Sequence, residues 1–149
     1  MIKFINYINH YFYKYTDFVS DIFLLFTRIY VADAFFSSGL IKFKNWEGTL
    51  YLFEYEYKVP FISWEVAAYF GTFIELVFPV FIFFGFLSPV LCLFLFVFNI
   101  MAVVSYPVLW DSGFYDHKLW GVMLLVNLFF GPGKISIDYI IHKIYKNNL

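Results

Sequence analysis

Long apolar runs, broken by polar residues at wide intervals, dominate this chain. Stretches at residues 18–43, 63–86, 90–106 and 116–130 are predicted to be helices that cross a bilayer, whose hydrocarbon core of ~30 Å takes about 20 apolar residues at ~1.5 Å each. The last is short for that task, so either its first turn extends backwards or it does not cross squarely. Residues 1–16 read differently. Ile5, Ile8, Phe12 and Tyr15 recur three or four apart, while Lys3, Asn6, Asn9, His10 and Lys14 interrupt them. Such a one-faced pattern predicts a helix lying in the membrane interface. Residues 135–146 repeat it, with Ile137, Ile140, Ile141 and Ile144 set against Asp138, His142 and Lys143. Local punctuation supports the boundaries. Ser63 is a helix N-cap with Glu65 in the first turn. Leu87-Ser88-Pro89 makes a reversal, Pro107 ends the third span, and Gly131-Pro132-Gly133 stops the fourth. The expectation is an all-α membrane protein of one domain over 1–149. Its form is a four-transmembrane-helix bundle with interfacial helices at both termini. The connection at residues 44–62, with Trp46, Tyr51, Phe53, Tyr55, Tyr57 and Phe61, is too aromatic for a solvated linker and is expected to cap the bundle or fold onto the membrane surface.

Composition narrows the class. Hydrophobic residues make up 62% of the 149 residues and charged residues 14%, against about 45–50% and about 25% in a soluble domain. A water-soluble fold of this size cannot hide so much apolar surface, and disorder is excluded by the same numbers. The net charge of −1 and the lack of a basic run exclude a nucleic-acid surface. The single cysteine, Cys92, excludes an internal disulfide and a CxxC motif. The N-terminal residues have neither a clean apolar core nor a small-residue cleavage site, so the first span is expected to be an uncleaved anchor. Orientation is weakly encoded: Lys3, Lys14, Lys134, Lys143 and Lys146 on the tails stand against Lys44, Lys58 and Lys118 opposite, plus Lys42 near the rim, a bias that favours both termini in the cytoplasm.

Among so few charges, those inside spans stand out. A charge at mid-membrane costs at least about 2.5–3.5 kcal/mol, so it needs a partner or a purpose. Arg28, Asp33 and Glu75 are of this kind. Estimated depths allow Arg28 and Glu75 to meet, whereas Arg28 and Asp33, about 140° apart on one helix, pair awkwardly. Two readings stay open: a structural ion pair fixing the packing of the first two spans, or a binding or proton-handling site. Asp21, Arg28, Phe35 and Lys42 recur every seven residues and form a stripe that should face the interior, with Lys42 near the rim and able to snorkel. A second set gathers at the non-cytoplasmic rim: Asp116, His117, Lys42, Trp46 and Glu65, with Trp120 one turn further on. His117 beside Asp116 is either a proton-transfer pair or a helix-start cap with an interfacial histidine. His117 is a weak metal candidate, because a metal site needs three or four convergent ligands. Cys92, Met101 and Met123 read as core packing. No haem, flavin, nicotinamide or zinc motif occurs, nor a Ser/His/Asp set or a Walker loop.

These pieces in order resemble the DoxX family of small four-helix membrane proteins, over about Phe26 to Asp138. Arg28 is followed by Phe36-Ser37-Ser38-Gly39 and Lys42. Then come Leu52 to Pro60, Glu65 to Ala68, Glu75-Leu76, and Pro79 to Gly85. Asp116-His117, Trp120, Gly131-Pro132-Gly133 and Ser136-Ile137-Asp138 complete the set. The loop after the second span departs from the family in lacking a basic residue. The resemblance implies a four-helix bundle in a bacterial inner membrane and a redox or metal-stress context, copper-related for the version with this aromatic loop. The expectation is an accessory subunit of such a module, with an intramembrane polar and aromatic cavity formed by the candidates above. The alternatives are a quinone-linked oxidoreductase subunit and a small-molecule or metal carrier. The sequence assigns no cofactor; quinone is the candidate that the resemblance offers. The expected partners are the lipid bilayer, a protein of a redox or metal-homeostasis system, and a second copy of the chain.

Overall fold

A computed structural model describes the backbone of residues 2–147 and the side chains of residues 15–147. The expected interfacial face of Ile5, Ile8 and Phe12, and His10 with it, therefore lies outside the described side chains. All regular elements among the described residues are helical: α1 (Ile2–Lys44), α2 (Trp46–Tyr55), α3 (Trp64–Phe84), α4 (Ser88–Ser105), α5 (Phe114–Phe130) and α6 (Ile137–Asn147), with a single 3₁₀ turn at Pro107–Trp110. α3 and α4 are long and apolar enough to cross a membrane.

The four long helices pack in a ring, α1 on α3, α3 on α4, α4 on α5 and α5 back on α1, while α2 lies against α3 and α1. The centre is filled by Val31, Phe35, Ile74, Ile82, Cys92, Leu95 and Leu124. Asn127 ties α5 to α1 by donating to Thr27 Oγ1 at 3.0 Å. In an apolar solvent such packing and interhelical hydrogen bonds, rather than water exclusion, drive helix association.

Boundaries follow local chemistry. Ser63 Oγ accepts from Val66 N at 3.4 Å and opens α3. Gly85, at φ 69°, closes it, with Phe86 N donating to Phe81 O at 3.0 Å, a Schellman closure that an αL glycine permits. Two expectations change. No break separates a surface helix at 1–16 from a span at 18–43. α1 is continuous, because no glycine or proline precedes Gly39. The aromatic connection is not a simple loop either. Asn45 Oδ1 accepts from Gly48 N at 3.2 Å and starts the ten-residue α2. α5 begins two residues earlier than the pattern's 116, after Gly113.

Candidate functional site

Gly39 sets the register of α1 against α3. A Cβ built on it would lie 2.9 Å from Glu75 Cβ, so the two backbones approach as only glycine allows. That crossing brings Lys42, one turn beyond Gly39, onto Glu75. Lys42 Nζ sits 2.6 Å from Oε2 and 2.8 Å from Oε1, and also donates to Ser38 Oγ at 2.8 Å. Glu75 is only 5% exposed. Lys42 thus does not snorkel at the rim. It is drawn inward, because a buried carboxylate needs a partner more than the ammonium needs water.

A cavity of about 290 Å³ opens beside this pair. Its walls are largely apolar, from Phe53 of α2, Phe70 and Ile74 of α3, and Phe94, Phe98 and Met101 of α4. Lys42 and Glu75 supply charge, and Tyr57 and Ser105 line it as well. Ser105 is buried, and its hydroxyl has no partner among the described residues. Tyr57 is stacked between Phe53, at 4.4 Å between ring centroids, and Tyr106, at 4.5 Å. Burial first, and the nearby Glu75 charge second, push its phenol up to about 12. The cap around it is tied down by Lys58 N donating to Ser105 O at 2.7 Å and by Tyr106 donating to Glu56 at 2.9 Å. Of the cavity's wall residues, Phe70, Phe94 and Val97 are exposed on the outer faces of α3 and α4.

Arg28 does not meet Glu75. The Gly39 crossing puts Arg28 nearly four turns of α1 away from Lys42, at the opposite end of the ring. There it is 1% exposed and donates through Nη1 to Pro132 O at 2.5 Å and through Nη2 to Ile135 O at 2.7 Å. It holds the chain segment between α5 and α6. A Cβ at Gly85 would sit 2.7 Å from Arg28 Nη1 and 2.5 Å from Ser136 Cβ, so the same segment presses on the end of α3. Asp138 then reaches α4. Its two carboxylate oxygens accept from Leu87 N at 2.9 Å and Ser88 N at 3.0 Å, the N-cap and first-residue amides of α4, which have no acceptor within the helix. Asp21 accepts from Lys134 N at 2.9 Å, with its side chain 3.5 Å from Lys134 Nζ. The stripe Asp21, Arg28, Phe35 and Lys42 does face inward, but its charges serve two ends of the molecule.

The remaining candidates scatter. His117 Nδ1 lies 2.7 Å from Asn99 Oδ1 of α4, while Asn99 Nδ2 donates to the His117 carbonyl at 2.9 Å. Its partner is therefore Asn99 rather than the neighbouring Asp116, whose side chain points outward because consecutive helical residues diverge by about 100°. His117 borders a separate groove between α4 and α5. Trp120 stands between it and Phe35, at 4.7 and 5.5 Å. Trp46 packs on Tyr69 in the cap. Asp33 is exposed in a groove between α1 and α3. Among the described residues no three of His, Cys, Asp and Glu converge as a metal site would need. Ser38, Tyr57, Asn99, Ser105 and Asp138 escaped the sequence reading as site residues. The usable signal was Ser38, four residues before Lys42 on the same face.

Comparison with known proteins gives this geometry a lineage. The DoxX family pattern matches residues 23–107, more than half of the chain. The chain belongs to the DoxX family. A Haemophilus influenzae protein described as uncharacterized is 34% identical over 141 residues, covering 85% of this chain and 87% of its own length. No solved structure matches. In this DoxX protein the matched region holds Arg28, Lys42, Glu75 and the cavity walls, whereas the segment that Arg28 and Asp138 lock lies beyond it.

Proposed function

We propose that this DoxX protein is an accessory membrane subunit of a redox or metal-stress module, and that its cavity holds a lipophilic molecule with a polar head, of the quinone kind. The observation that carries this is an apolar cavity of about 290 Å³ ending on the buried Lys42–Glu75 pair. Its size lies near the lower end for small-molecule sites, enough for a ring and the start of a tail. Lys42 and the Tyr57 phenol supply donors, and Glu75 an acceptor, for oxygen atoms on such a head. Entry is sideways from lipid, between α3 and α4, since Phe70, Phe94 and Val97 sit at the mouth while α2 and Tyr57 seal the end of the ring.

The same reading takes all four long helices across the inner membrane. α3 and α4 are spans by length and composition, and α1 and α5 lie alongside them with exposed apolar faces, such as Phe26, Phe43, Leu119 and Val122 on their outer sides. α6, with Ile137, Ile140, Ile141 and Ile144 exposed, rests in the interface. Lys134, Lys143 and Lys146 at the Arg28 end favour that end, and both termini, in the cytoplasm.

The test is solvent extraction of the purified protein, with identification of the lipophiles released, followed by titration of the stripped protein with a short-chain quinone and a tryptophan fluorescence readout. A quinone recovered or bound, with affinity lowered about tenfold or more by Lys42→Met, is the expected result. A wild-type protein that neither releases nor binds a quinone overturns the reading.

A further inference from the structure

Asp33 is a carboxylate in the wrong surroundings. It is exposed on α1 and borders a groove of about 500 Å³ whose other walls are Phe26, Ile29, Tyr30 and Phe36 of α1 and Pro79, Val80, Phe83 and Phe84 of α3. The side chain makes no ion pair or hydrogen bond among the described residues. Its depth follows from two fixed points. Gly39 opposes Glu75, and Arg28 lies against Gly85. With antiparallel helices Asp33 falls level with Phe81, about one turn inside the end of α3. Exposed apolar residues flank it along the helix on both sides, so it lies within the apolar band. An isolated charge there is expensive unless something covers and pairs it.

A second copy of this chain meets the need poorly. A two-fold contact through the groove would set Asp33 beside its own counterpart, a like-charge pair. Of the exposed cations of the described residues, Lys44, Lys58 and Lys134 sit at a helix end or in connections, Lys118 in the second turn of α5, and Lys143 and Lys146 on α6; none lies on the long helices near the level of Asp33.

We propose that the α1–α3 groove receives a transmembrane helix of a different protein, one that carries a lysine or arginine at the depth of Asp33. The aromatic walls grip the helix, and the ion pair fixes its register. This names the kind of partner that the subunit reading requires. It does not depend on the cavity, which lies on another seam of the ring.

The full chain, donor-labelled in phosphatidylcholine vesicles, is mixed with acceptor-labelled synthetic Leu/Ala helices that differ in one residue at the matching depth, Lys or Leu. Energy transfer should show the Lys helix binding about tenfold tighter than the Leu helix, as a buried interhelical polar pair predicts. Asp33→Leu should abolish the difference. Asp33→Asn, which keeps the shape and removes the charge, should do so too and serves if the first variant fails to insert. Short-chain quinone titration of Asp33→Asn should match the wild type, which separates this proposal from the cavity reading. Equal binding of both helices to the wild type, unchanged preference in Asp33→Asn, or Asp33-dependent self-association without added helix overturns it.

Discussion

Lys42 and Glu75 illustrate what a single glycine decides. The depth pattern sets Glu75 opposite Arg28; both are buried, whereas Asp33, at similar depth, is exposed. What the sequence pattern lacked was the register between α1 and α3. Gly39 contains that information, but a small residue in a span reads equally well as filler, and only the 2.9 Å approach to Glu75 exposes its role. The pair that results is buried and hydrogen-bonded, which predicts strong non-additivity. Lys42→Met alone strands a buried carboxylate and should cost about 3–5 kcal/mol. The double variant Lys42→Met, Glu75→Leu should unfold closer to the wild type than the single one does. Denaturant unfolding in detergent measures all three, and simple additivity would contradict the geometry.

At the level of elements, the long helices are legible because their apolar runs are long, whereas α2 is not. Ten residues with apolar positions on every side carry little periodicity, and Asn45 as an N-cap is a weak mark beside so many aromatic residues. The cap that α2 forms with residues 56–63 has a titratable centre in Tyr57. Its phenol is raised from 10 to about 12. In the unfolded chain the phenol loses its proton near 10, while the folded cap retains it. The contribution to stability is therefore complete below pH 10 and is lost as pH rises through 12. Thermal melts between these values should fall steeply for the wild type and less so for Tyr57→Phe. Parallel curves would mean that Tyr57 is not held in its neutral form by the cap.

The whole molecule has two ends built on opposite principles. One end encloses a cavity; the other is packed solid around Arg28, Gly85 and the segment from Pro132 to Asp138. Four long helices were readable from the chain, but their ring order was not, because each pattern of apolar residues fixes a helix without naming its neighbours. The packed end was visible only as a scattered set of familiar residues. Arg28 looked like a membrane charge seeking a carboxylate, yet its partners are backbone carbonyls, which no side-chain pattern reports. Asp138 caps a helix fifty residues before it in the chain. Asp138→Ala should lower stability by about 2 kcal/mol, the worth of charged hydrogen bonds to two helix-start amides, while quinone titration is unchanged. A loss of ligand binding equal to that of Lys42→Met would show instead that the two ends act as one.

The unbroken length of α1 links those ends mechanically. Forty-three residues make a rod of about 65 Å, roughly twice the hydrocarbon thickness of a bilayer. Its early turns therefore project past the ring, and without a hinge before Gly39 they form one lever with Lys42. The arm that reaches beyond one end of the ring and the ammonium that meets the cavity at the other thus belong to a single uninterrupted helix.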